Sequence, residues 1–162
     1  MSASGLDVFD RTLETTHVWL NEICRDIGPD KQVAWKVLST VLHKLRDRLT
    51  INLAAHLGAQ LPLLVRGVYY DQFEPGKMPS ACRNREEFIA EVAEWLSDTR
   101  PVDPELAVRS VFGVLSRHIS EGQISKVRDA LPKSLRQLWP SAEELTGFAD
   151  DEPLVLDETL TR

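Results

Sequence analysis

The sequence predicts an all-α fold, about eight helices in two repeated four-helix units packed into one compact bundle-like domain. Three observations lead there. Apolar residues recur at intervals of three and four along nearly every segment, and no stretch shows the strict alternation of a strand. The stretch that ends near Trp139 also retraces the one that ends near Tyr69.

The first helix carries Phe9, Leu13, Thr16, Leu20, Ile23 and Ile27 as one apolar stripe and stops at Gly28-Pro29. Asp30 has the chemistry of an N-cap for a second helix with the stripe Ala34, Leu38, Val41, Leu42, Leu45 and Leu49. Thr50 caps a third, shorter helix through Leu53, Ala54 and Leu57, and Leu61-Pro62 opens a fourth, LLVRGVYY. Residues 71–83 hold Pro75, Gly76 and Pro79 and read as an irregular connector. Beyond it, Asn84 with Glu87 resembles a capping box ahead of Phe88, Val92, Trp95 and Leu96. Asp103-Pro104 starts a sixth helix through Ala107, Val108, Val111, Leu115, His118 and Ile119. Ser120 caps a seventh with Ile124, Val127 and Leu131, and Leu131-Pro132 opens KSLRQLW.

The segments QLPLLVRGVY (60–69) and ALPKSLRQLW (130–139) align without a gap, pairing Pro62 with Pro132, Arg66 with Arg136 and Tyr69 with Trp139. Each half is too short to bury much surface alone, so the halves are expected to share one core. The expected organisation is a single helical domain over residues 1–146. Repeat one spans about 6–71, the connector 72–83, repeat two about 84–140 and a short capping helix 141–146. An acidic flexible tail follows at 147–162.

Charge follows the same division. The chain has 25 acids and 19 bases. Residues 141–162 hold seven of those acids against Arg162, which leaves 18 of each sign in residues 1–140. A neutral body lacks the basic excess of a nucleic-acid binder, and no apolar run approaches the ~20 residues of a membrane span. No nucleic-acid or membrane partner is expected. The N-terminus has no basic stretch followed by an apolar one, so no secretory signal is expected, and Cys24 and Cys82 are expected as free thiols in the cytoplasm.

The segments LAAHLGAQLPLLVRGVYYDQFEP, REEFIAEV, AVRSVFGVLSRHISEGQI and ALPKSLRQLWP resemble the prokaryotic family called domain of unknown function 2267, over roughly residues 8–140. The resemblance implies a helical fold of two repeats and carries over no catalytic residue.

Residue chemistry adds few sites. Glu14 and His17 share a helix face, but a di-iron bundle needs a second such pair and two further glutamates, so no metal site is assigned and His17 reads as half-buried. His43 and His56 are scattered, while His118 reads as a core histidine bonded to backbone. No nucleophile elbow, phosphate loop or dinucleotide fingerprint occurs, so no catalytic residue and no cofactor is assigned. Lys44, Arg46 and Arg48 read as solvated helix surface.

Arg66 and Arg136 either bond carbonyls at the end of a neighbouring helix or form a pseudo-symmetric pair of anion-binding groups. Tyr69, Tyr70 and Phe73 at the junction, with Trp19 and Trp35 off the centres of their stripes, either pack the inter-repeat core or present a partner-binding surface. The tail either solubilises the chain or docks as a short segment. The expected function is therefore a non-enzymatic helical binding module for a protein or peptide partner, using the inter-repeat surface. The alternative is a small-ligand or anion-binding protein, or an enzyme, with its site between the repeats. Oligomeric state is left open.

Overall fold

A computed structural model of the chain describes residues 3–81 and 84–146. Cys82 and the tail at 147–162 lie outside the described residues. Among the described residues the fold is all-helical, with no strand. The helices are α1 (Asp7–Ile27), α2 (Lys31–Asp47), α3 (Ile51–Gln60), α4 (Leu63–Tyr70), α5 (Arg85–Trp95), α6 (Pro104–His118), α7 (Glu121–Asp129), α8 (Lys133–Arg136) and α9 (Ala142–Thr146). A 3-10 turn, Pro75–Lys77, interrupts the connector.

Local chemistry sets the boundaries. Gly28 ends α1 at a φ of 111°, a conformation that disfavours side chains. From the other half of the chain, Arg100 donates to the Ile27 carbonyl at 2.7 Å and satisfies one end of that helix. Asp30 accepts from the backbone of Gln32 and Val33, Thr50 from Leu53, Asn84 from Glu87, Asp103 from Glu105, and Ser120 from Gln123. Each such cap is worth about 1 kcal/mol. Pro62 and Pro132 stand one position earlier than a first-turn proline, at the caps of α4 and α8, with φ/ψ of −55°/150° and −55°/149°.

Helices α2 and α6 form the centre. Helix α1 packs on both, α5 packs on both from the connector side, and α3 with α4 closes one end, where α3 meets α7. Val37, Leu38, Val41, Leu42 and Leu45 of α2 are fully buried with Val108, Val111, Phe112 and Leu115 of α6. Burying each such side chain contributes roughly 1.5–3 kcal/mol of transfer free energy. Helix α6 is buried on almost every side, from Ser110 through Leu115.

Four expectations need correction. Phe9 and Leu13 are exposed although Leu20, Ile23 and Ile27 on the same stripe are buried, because α1 extends past the helices that cover it. Trp95 is 44% exposed rather than part of the core, since α5 ends at that residue. Arg46 and Arg48 are buried at 2% and 9% rather than solvated, because each finds fixed acceptors. His17 is exposed and meets the Lys31 amine at 3.3 Å.

The corners after α3 and α7 are built alike. Arg66 donates through Nε to the Gly58 carbonyl and through Nη2 to the carbonyls of Ala59 and Leu61, at 2.9–3.0 Å. Arg136 donates to the carbonyls of Leu131 and Asp129, both at 2.9 Å. Both guanidiniums thus occupy the negative end of the preceding helix. Tyr69 and Trp139, three residues beyond the two arginines, are both buried. At Gly58 a Cβ would stand 2.9 Å from the Tyr69 ring, so the α3–α4 corner closes only on glycine.

Candidate functional site

Connector aromatics lead outward from the core. Tyr69 is fully buried and donates its hydroxyl to the Ala54 carbonyl at 2.7 Å; burial pushes its pKa well above the usual phenol value. Tyr69 meets Tyr70 edge-on at 4.9 Å between centroids, and Tyr70 meets Phe73 edge-on at 5.5 Å. The Arg46 guanidinium lies 5.4 Å from the Phe73 ring centre. It donates to the carbonyls of Tyr69 at 2.5 Å and Asp71 at 2.8 Å, which fixes the path of the connector as it leaves α4.

A cleft of about 450 Å³ opens between that connector and α5, with α2 as its floor. Thr40, His43, Lys44, Arg46 and Asp47 come from α2, Gln72 and Glu74 from the connector, and Trp95 from the end of α5. The Lys44 amine stands 4.9 Å above the Trp95 ring and 3.9 Å from the Glu91 carboxylate. Arg48, one turn on, also binds Glu91 and in addition Ser80. The ion pairs to Glu91 therefore tie α2 to α5 behind the cleft.

His43 meets the Val68 carbonyl through Nε2 at 2.5 Å. Burial lowers its pKa, and the nearby Arg46 charge does the same, so the ring is neutral at pH 7 and Nε2–H is the donor. With Nε2–H committed to the Val68 carbonyl, Nδ1 is the ring nitrogen left as an acceptor. Among the described residues no three His, Cys, Asp or Glu side chains stand close enough to share a metal ion. Cys24 is a free thiol whose pKa is raised by burial, the opposite of nucleophile activation. What the cleft offers is a half-exposed indole in a polar rim.

The partner residues named from sequence divide into two groups. Trp19 is 1% exposed, stacked on His118 at 5.4 Å, and Tyr69 is wholly interior, so neither presents a surface. Tyr70 and Phe73 are half-buried beside the cleft. Trp35 is half-buried against the core near the start of α2, more than two turns from Lys44. Arg66 and Arg136 each bond through Nε and Nη2 to the helix-end carbonyls already described. Sequence reading missed Trp95, Lys44 and His43 as neighbours.

A second polar cluster joins α1 to α6. Glu22 accepts from Arg117 Nε at 3.0 Å and lies 2.6 Å from His118 Nε2, and Ser110 donates to Asp26 at 2.6 Å. His118 is thus exposed and held by a carboxylate, not the core histidine bonded to backbone that its place on the stripe suggested. Burial alone would raise the Glu22 pKa, but the His118 hydrogen bond and charge, with Arg117, outweigh it and hold the carboxyl below its usual range. A depressed carboxyl contributes stability above its unfolded pKa and loses it as pH falls through the folded value. Glu22→Gln is therefore expected to cost about 2 kcal/mol at pH 7. That penalty should shrink toward zero as urea midpoints are followed down into the acid range below pH 4. A constant penalty would mean that the charge is not what stabilises.

Residues 16–138 match the family model described as Uncharacterized conserved protein (DUF2267). The chain belongs to the DUF2267 family. The match takes in α2 through α8 and the greater part of α1, so every residue of the DUF2267 cleft lies within it. The first turns of α1 and all of α9 lie outside the match. No curated protein matches the chain. Among the described residues no helix of this DUF2267 chain is long and apolar enough to cross a membrane.

Proposed function

We propose that the chain is a non-enzymatic binding module that takes a segment of a protein or peptide partner into the cleft between α2, the connector and α5. We also infer that it is a cytoplasmic protein of prokaryotic type, written as one helical plan used twice. The equivalent corners at Pro62 and Pro132, each followed four residues on by a capping arginine, support the duplication. The free Cys24 thiol fits a reducing compartment.

The observation that carries the reading is Trp95, 44% exposed at the mouth of the cleft and overlaid by Lys44. An indole of this kind offers a large rigid contact area at small entropic cost, and tryptophan is prominent among interaction hot spots. The rim of Asp47, Gln72 and Glu74 supplies acceptors and donors for a peptide backbone, with Thr40 buried beneath it. The opposing reading, an anion or small-ligand site at Arg66 and Arg136, gains less support because both guanidiniums already serve helix-end carbonyls.

Selection of displayed peptides against the full chain tests this. Enriched peptides are expected to quench indole fluorescence on binding and to lose about tenfold or more in affinity against Trp95→Ala, a surface truncation that leaves folding intact. Peptides that bind Trp95→Ala equally well, or a selection that enriches none, would overturn the assignment.

A further inference from the structure

We propose that the first half of α1, together with the start of α4, docks a basic amphipathic helix of another protein. This surface is separate from the cleft and does not depend on it.

The α1 stripe is covered along only part of its length. Thr16, Leu20, Ile23 and Ile27 are buried, while Leu6, Phe9 and Leu13 are 51%, 49% and 41% exposed. Their spacing keeps all of them on one face, so the stripe runs on uncovered for about two turns. The Leu64 backbone N–H donates to Thr12 Oγ1 at 3.0 Å. That bond brings Leu63 and Leu64, 52% and 40% exposed, beside the same turns. Five large apolar side chains in one neighbourhood differ from scattered surface leucines and mark an interaction site.

Charge selects the occupant. Asp7, Asp10 and Glu14 follow one another at helical spacing beside Leu13, with Arg11 among them and His17, against the Lys31 amine, one turn beyond, and they border an open groove along this edge of α1. A second copy of the chain, packed by a twofold axis, would bring these acids against their own equivalents. The chain's own C-terminal segment is also acidic, from Asp150 to Glu158. Like charges opposed across an interface are costly, whereas a helix with leucines on one face and lysines or arginines beside them satisfies stripe and border together.

A synthetic leucine–lysine amphipathic helix of roughly 18 residues, long enough for the exposed turns, serves as the probe, with its leucine–glutamate counterpart as control. The full chain is expected to bind the lysine peptide at least about tenfold more tightly than the glutamate peptide. Phe9→Ser with Leu13→Ser should remove that binding, and Asp7→Lys with Glu14→Lys should reverse the preference. Neither pair is buried, so circular dichroism should show folding retained. Equal binding of the two peptides, or binding unchanged in the serine variant, would overturn the proposal. Self-association of the wild type that the serine variant abolishes would instead assign the surface to a second copy. Tighter peptide binding after Leu154→Asp with Leu156→Asp would assign it to the C-terminal segment.

Discussion

Phe112→Ala is expected to lower the folding free energy by about 4 kcal/mol. Phe112 is fully buried in the middle of α6, stacked on Trp139 at 4.1 Å between centroids and 11° between planes, with Phe88 at 6.2 Å on another side. These three rings join α5, α6 and the chain just beyond α8. Truncation removes the central ring and leaves a hole that Trp139, packed at 6% exposure, has little freedom to fill. The cavity term therefore adds to the lost transfer free energy. Guanidinium unfolding should show a lower midpoint at unchanged slope, and Phe112→Leu should recover a good part of the loss. A loss below about 1 kcal/mol would mean that the surrounding rings collapse freely and that the stack does not hold the second half of the chain together.

Arg46→Ala is expected to cost about 3 kcal/mol, which is unusual for a residue in a run of surface-like charges. Its guanidinium donates to the carbonyls of Tyr69 and Asp71, and its Nε meets the Asp47 carboxylate at 3.0 Å, all at 2% exposure. Alanine would strand the buried Tyr69 carbonyl and loosen the part-buried Asp71 carbonyl at the end of α4, and a stranded buried group carries the full desolvation penalty. Arg46→Lys keeps the charge but not the forked geometry, so it should recover only part of the loss. Thermal unfolding of the three proteins decides the matter. Equal loss for Ala and Lys variants would show that the fork is what counts, while no loss for either would remove Arg46 from the connector's support.

Helix faces and helix ends were legible in the sequence because both depend on neighbours three or four residues away. The N-caps Asp30, Thr50, Asn84, Asp103 and Ser120 need only their own backbone, and all five serve. What spacing cannot convey is how far a partner helix extends along a face. Phe9, Leu13 and Trp95 keep the correct period and are exposed all the same, because each lies at a helix end where cover runs out. The opposite failure affects α6: its stripe through Val108, Val111 and Leu115 was legible, but burial runs on around the helix from Ser110 to Leu115, so Phe112 went unmarked off the stripe. Arg46 and Arg48 looked like solvated charge because their acceptors, at Tyr69, Asp71, Ser80 and Glu91, lie more than 20 positions away. The cleft is assembled from three such distant segments, which is why His43, Lys44 and Trp95 carried no joint signal.

Helix α1 touches α2 and α4 before the connector and α6 beyond it, while Glu91 gathers Lys44 and Arg48 across the same divide. A protease cut between Phe73 and Ser80 would therefore yield two polypeptides but not two proteins. The severed pieces would travel together and melt as one, and either piece made alone would be missing half of its own interior.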